Sequence, residues 1–207
     1  MKHLVRLSGP FPPVLDVCCS TRMFWFNKAD PRAVYVDKQC EVITQDQPQI
    51  NHQRVCKVDP DHVADFTDLP FPDNTFALVV FDPPHKTSMS ATSTFTKFYG
   101  ALLGDWRDML RKGFAECFRV LRPDGVLVFK WNDIDVSVDE ILALTPEKPL
   151  FGHPTRRGAL PRKGKPNFVG THWVAFLKPN SVLDRSQPPA VTERQDQGHD
   201  AGSEALT

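Results

Sequence analysis

The most specific chemistry in this chain of 207 residues is carried by five in a row, Phe81-Asp82-Pro83-Pro84-His85. An amino group on a heterocyclic base is a poor nucleophile because its lone pair is delocalised into the ring. Two acceptors on its hydrogens pull the nitrogen toward tetrahedral geometry and release that pair. Asp82 is one such acceptor, since an ionised carboxylate accepts and never donates. A carbonyl of Pro83-Pro84 is the other, because proline fixes φ and brings no competing N–H. With an ordinary carboxyl pKa of ~3.9, Asp82 orients the amine rather than acting as a strong base. His85 can stack on a base taken out of its helix. It can also take a proton, and its ordinary pKa of ~6.5 leaves it open to charging in mild acid. The bland alternative is a Pro-Pro turn that ends a buried strand.

Other acids recur at the ends of apolar runs. Asp16-Val17-Cys18-Cys19-Ser20 follows one such run, and Asp37 closes another, 19 residues after Cys18. No glycine occurs between Gly9 and Gly100. A phosphate-cradling turn needs glycines so that backbone amides can approach closely, so a P-loop and a standard dinucleotide site are both disfavoured. The small side chains of Cys18, Cys19 and Ser20 still let a phosphate-free cofactor pass. Asp37 can accept from both ribose hydroxyls of an adenosine moiety. Asp65 can accept from its adenine amino group, with Phe66 or Leu69 as an apolar wall. Each acid alone is equally well a turn or capping residue; their order and spacing together say more.

These residues need a scaffold that brings strand ends together. Val14–Cys18, Ala33–Asp37, Phe76–Phe81, Gly125–Trp131 and His172–Leu177 read as strands, with a further short one near 54–57 or 63–65. The wholly apolar Phe76–Phe81 run marks a strand buried on both faces. From Asp105 to Arg122, apolar residues recur at three and four (Trp106, Met109, Leu110, Phe114, Cys117, Phe118, Leu121), which makes one face of a helix. Asp105 is placed to cap it, Arg119 and Arg122 to meet its negative end, and Pro123-Asp124-Gly125 to stop it. A shorter helix is expected over 138–144, and the apolar Met23-Phe24-Trp25-Phe26 reads as the opening of another, either as core or with one ring lining the cofactor or base pocket. Strands alternating with helices imply a mostly parallel sheet with covered faces. Ligands then sit beyond the carboxyl ends of the strands, where these acids fall. Trp131 and Asn132 also lie there, although packing and capping account for them equally well.

The formal net charge is zero, but it is unevenly spread. From residue 180 onward five acids face two bases, in a polar stretch that reads as disordered. Arg156, Arg157, Arg162, Lys163 and Lys165 crowd ten residues that hold no acid. Gly158, Pro161, Gly164 and Pro166 make that stretch a loop. It is either a solvated surface or a contact for phosphates, whose neutralisation releases counterions. The five cysteines have neither framework nor metal spacing, so no disulfide, no metal and a reducing, cytoplasmic setting are expected. No membrane-length apolar run and no secretory leader is visible.

The chain resembles class I S-adenosylmethionine-dependent methyltransferases over residues 12–179. Val14–Cys19 is similar to their motif I, Asp37 to the acidic end of strand two, and Asp65–Phe76 to the adenine-binding segment. Phe114–Phe129, with Arg119-Val120-Leu121-Arg122-Pro123-Asp124-Gly125, is similar to their fifth helix–strand unit. Asp82-Pro83-Pro84-His85 resembles the Asp-Pro-Pro-Tyr motif of amino-methyltransferases acting on adenine N6 or cytosine N4. Arg22-Met23-Phe24-Trp25-Phe26 resembles small phage and prophage methyltransferases. Cys19 and Ser20 replace the motif I glycines, and His85 replaces the aromatic residue.

The resemblance implies a Rossmann-like, mostly parallel seven-stranded sheet with helices on both faces, as one domain over 1–179 followed by a polar tail over 180–207. It implies S-adenosylmethionine as cofactor, held by Asp16, Cys18, Cys19, Ser20, Asp37, Asp65, Phe66 and Asp82. Catalysis falls to Asp82, Pro83, Pro84 and His85. Nucleic acid, with DNA adenine favoured, is the expected substrate, met by the basic loop and by a Ser/Thr-rich stretch over 86–104 bearing Phe95, Phe98 and Tyr99. An RNA or protein-amide methyltransferase, or a binding module without catalysis, are the alternatives.

Overall fold

The computed structural model describes residues 10–47, 52–87, 96, 100–158 and 168–180. The polar tail beyond 180, most of the Ser/Thr-rich stretch and Arg162, Lys163 and Lys165 lie outside the described residues.

In chain order the strands are β1 (Val14–Asp16), β2 (Ala33–Asp37), β3 (Glu41–Gln47), β4 (His52–Val58), β5 (His62–Val63), β6 (Phe76–Phe81), β7 (Leu121–Asn132), β8 (Phe151–Gly158) and β9 (Phe168–Leu177). The helices are α1 (Trp106–Val120) and α2 (Val138–Leu142). Seven strands form one sheet in the order β5-β2-β1-β6-β7-β9-β8. All run parallel except β9, which is antiparallel to both β7 and β8. This is the mostly parallel, Rossmann-like sheet that the sequence implies. The chain leaves β1 toward β2 and β5 on one side and resumes with β6 and β7 on the other. The strand order therefore reverses between β1 and β6, the place where ligands bind in open α/β sheets.

The expected strand near 54–57 is β4, which pairs antiparallel with β3 in a separate hairpin. The third strand of the main sheet is β5, beside β2.

The long helix forms as its periodicity predicts. Asp105 caps it by accepting from Asp108 N. Leu110, Phe114, Cys117 and Phe118 are buried against the sheet. Phe114 meets Phe81 edge-on at 5.4 Å and Phe129 at 5.0 Å, contacts that add to area burial. Gly113 belongs to this face: a Cβ there would come 2.7 Å from Phe66 and 2.8 Å from Phe81. The C-terminal end departs from expectation. The last carbonyls are met by Lys178 Nζ, which donates to Phe118 O and Leu121 O at 2.6 Å each. Arg119 instead reaches the segment before β6.

Both α1 and α2 contribute to the core on one face of the sheet, and Arg107 pairs with Glu140 between them. A separate small cluster joins Cys19, Ala33 and Tyr35, with Val14 and Trp25 packed against it. No helix opens at Met23; the segment forms turns. Ser20 and Arg22 take left-handed φ of 44° and 55°, which an α-helix cannot include. The Arg22 guanidinium donates to Lys28 O and Asp59 O and lies over the Tyr35 ring, 3.7 Å from its centre. Phe24 and Trp25 pack, edge-on to Trp173 and Tyr35 respectively. Met23 and Phe26, expected in the core, are exposed. Among the described residues no helix is long and apolar enough to cross a membrane.

Candidate active site

The parallel pairing of β6 and β7 sets Phe81 opposite Phe129. One residue further along, Asp82 and Lys130 leave the sheet edge side by side. Lys130 Nζ donates to Asp82 Oδ2 at 2.5 Å. Burial raises the Asp82 carboxyl above its usual range, and the Lys130 charge opposes that rise. Lys130 also lies near the rings of Phe24 and Trp173, at 5.5 and 5.7 Å.

The segment after Asp82 is held from three directions. Thr87 N donates to Asp135 Oδ2 at 3.0 Å, and Leu102 N to Lys86 O at 2.8 Å. Gly100, at φ 72°, lies against Pro84 so closely that a Cβ would fall 2.7 Å from the ring. His85 meets Trp131 edge-on at 6.3 Å. Its pKa is lowered to about 4, by burial and then by the charges of Lys130 and Lys86. Burial and these two charges thus oppose the charging in mild acid that an ordinary imidazole would allow. Trp131 itself is core, its indole donating to Val136 O, and Asn132 bonds Thr171.

At the β1–β2 edge the acids play different parts. Asp16 is fully buried. It accepts from the Trp25 indole at 2.7 Å and from Cys18 N at 3.3 Å. Burial pushes its carboxyl up to about 7, against those hydrogen bonds. Asp37 accepts from Ser20 N at 2.8 Å through Oδ2 and from Gln39 N at 2.9 Å through Oδ1. Burial raises it as well. The left-handed Ser20 thus lets a turn without glycine point an amide at Asp37. The Cys18 and Cys19 thiols are pushed up by burial.

Asp65 is engaged on both oxygens, with Lys38 Nζ at 2.8 Å on one and Thr67 N and Oγ1 on the other. Burial alone would raise its carboxyl, but these partners hold it below the usual range. Phe66 packs edge-on to Phe81 at 5.3 Å. The chain that follows is strapped to α1: Leu69 N donates to Glu116, while Arg119 donates to Leu69 O and Phe71 O.

One cavity of about 610 Å³ joins the two edges, within the range of small-molecule sites. The turn Cys18–Ser20, Asp37, Asp65 and Phe66 line one part of it, and Asp82–His85 with Lys130 line another. Of the residues singled out as cofactor contacts, Asp16 does not reach it. Arg156 and Arg157, expected in a loop, stand instead on β8 at the sheet edge, where pairing with Gly170 and Val169 of β9 extends the strand to Gly158. Among the described residues no group of three or more His, Cys, Asp or Glu is placed to hold a metal ion.

Sequence reasoning missed Lys130 and Gly100. The signal for Lys130 was present: it is the one charged residue in the apolar run Val126–Trp131, one step past the register partner of Phe81. Gly100 is recognisable only once the chain folds back on Pro84.

No family model matches this chain, and no curated protein matches it. Solved structures show similarity over most of its length. An S-adenosylmethionine-dependent methyltransferase from Methanosarcina mazei is 13% identical, over 80% of this chain and 92% of that one, with a TM-score of 0.46. Geranyl diphosphate methyltransferase, solved with geranyl diphosphate and sinefungin, is 14% identical over 85% and 74%, at 0.46. The 1,6-didemethyltoxoflavin-N1-methyltransferase of Burkholderia thailandensis is 12% identical over 81% and 71%, also at 0.46. The strand order and the geometry of the cavity, not these likenesses, carry the reading below.

Proposed function

We propose that this chain is an S-adenosylmethionine-dependent N-methyltransferase that modifies the exocyclic amino group of a nucleic-acid base, with adenine N6 of DNA favoured. The observation that carries the reading is that Asp82-Pro83-Pro84-His85 lines the same cavity as Asp37 and the Cys18–Ser20 turn, at the reversal point of the sheet.

The residues fit the cofactor. The Asp37 carboxylate accepts the amides of Ser20 and Gln39, with Lys38 N also on it, and of its roughly four lone-pair sites capacity is left for a ribose hydroxyl. Phe66 gives an apolar wall for a purine. The turn, which lacks glycine, suits a cofactor without phosphate. When bound, S-adenosylmethionine supplies a methyl group activated on a sulfonium. Asp82 would accept an N–H of the incoming amine, and a carbonyl of the Pro83-Pro84 segment the other. Catalysis then rests on placing the amine and excluding water. Burial makes Asp82 a better acceptor for the departing proton than an exposed aspartate. Neutral His85 would offer its ring as a stacking partner, because burial makes its charged form costly. Arg156, Arg157, Arg162, Lys163 and Lys165 would meet substrate phosphates.

The test is transfer of label from radiolabelled cofactor to unmethylated DNA, RNA and protein in parallel. Label in DNA is expected, at a rate that falls with salt and falls further when Arg156 and Arg157 are reversed in charge. Cofactor binding by calorimetry with no label in any pool would contradict the reading.

A further inference from the structure

The ion pair at the sheet edge does more than hold Asp82. Lys130 Nζ sits 2.5 Å from Asp82 Oδ2, and both side chains line the cavity while keeping partial exposure, 26% and 18%. The cavity wall therefore presents an acceptor and a donor as immediate neighbours. An ammonium has three N–H groups, and one is spent on Asp82. Phe24 and Trp173, the aromatic rings beside Nζ, offer π-faces but no lone-pair acceptor.

Resting on the proposed function, we infer that Asp82 and Lys130 together read the substrate: Asp82 takes the amino N–H, and Lys130 donates to the unprotonated ring nitrogen bonded to the carbon that bears the amino group. Adenine (N6 with N1) and cytosine (N4 with N3) carry that pattern on their Watson–Crick edges, which base-extruding enzymes use for recognition. Guanine does not. Its N2 amino group neighbours N1–H, a second donor, which would face the ammonium and leave it unpaired in a partly dry site. A mismatch of that kind is rejected strongly because a buried polar group loses its partner. Read on the Watson–Crick edge, the pair would thus favour adenine and cytosine over guanine.

The test uses the full chain and random-sequence DNA in which adenine is replaced by 1-deazaadenine, or cytosine by 3-deazacytosine. Each replacement removes the ring acceptor and keeps the amino group. The expected result is a loss in kcat/KM of roughly tenfold to a hundredfold on the deaza form of the methylated base. Lys130→Met should lose a similar factor on ordinary DNA and show no further loss on deaza DNA. Equal rates of the unaltered protein on both DNAs, or losses that multiply in the variant, would overturn the role of Lys130 while leaving base methylation standing. The deaza arm on the unaltered protein decides this even if the variant does not fold. Label in neither DNA nor RNA, or only in peptides bearing Asn and Gln, would overturn base methylation and this inference together.

Discussion

Asp37 and Asp65 at one edge and Asp82 at the other line the same cavity but are satisfied differently, with Asp16 buried behind the first edge. Asp16 and Asp37 are held by backbone amides and an indole, partners fixed by the fold. Asp65 is closed off by Lys38 and Thr67. Asp82 meets an ammonium across the neighbouring strand, one with hydrogens to spare, and among the described residues it has no backbone partner beside it. The first edge is held in shape by the fold, with lone pairs of Asp37 still open to a ligand. The second keeps capacity for an outside group, which is what a reacting amine needs.

If this contrast is right, removing Asp82 should damage chemistry and little else. Asp82→Ala is expected to lower transfer by about 10³-fold, the scale of losing one aimed polar group in an active site, while calorimetry shows cofactor affinity nearly unchanged. An equal loss of binding would class Asp82 with the first edge.

Asp16 should show the reverse: an effect on stability with a defined pH signature. Its carboxyl pKa is raised from 3.8 to about 7 in the folded chain. The folded state therefore holds a proton that the unfolded state has lost, and stability from this group is full below about pH 4 and disappears as pH rises through 7. The size is on the order of a few kcal/mol. Thermal melts should show Tm falling over that window, and less steeply in Asp16→Asn. An unchanged slope would mean that Asp16 does not carry the proton.

Gly100→Ala sharpens the comparison from the other side. The added Cβ must displace Pro84, and the left-handed backbone at Gly100 adds strain. Misplacing the corner should cost kcat up to ~10²-fold, with Tm shifted much less. Smallest is Arg119→Met, which unstraps residues 69–71 from α1. It should lower stability by about 1.5 kcal/mol, measured by denaturant unfolding, and raise the KM for cofactor more than it lowers kcat.

Much of the sheet was readable because buried parallel strands are apolar throughout, as in Phe76–Phe81, and α1 because Leu110, Phe114 and Cys117 keep helical spacing. The Asp82-Pro83-Pro84-His85 corner was readable as a local motif. The turns at 17–32 were not. Four large apolar residues look like a helix start, and only the fold reveals that Arg22 is anchored on Tyr35 and Asp59 and takes a left-handed backbone. The protonation of His85 was equally hidden, since it is set by burial and by Lys130, 45 residues away in sequence. Asp16 and Asp37 looked alike as strand-terminal acids; burial behind Trp25 separates them.

The central claim, that Asp82 and the Pro83-Pro84 segment grip a base amino group for methylation, is most directly tested by mass spectrometry of nucleosides from cells expressing the chain. N6-methyladenine should appear in DNA and vanish with Asp82→Ala. No methylated base above background from a folded protein that binds the cofactor, or the same yield from Asp82→Ala, would contradict it.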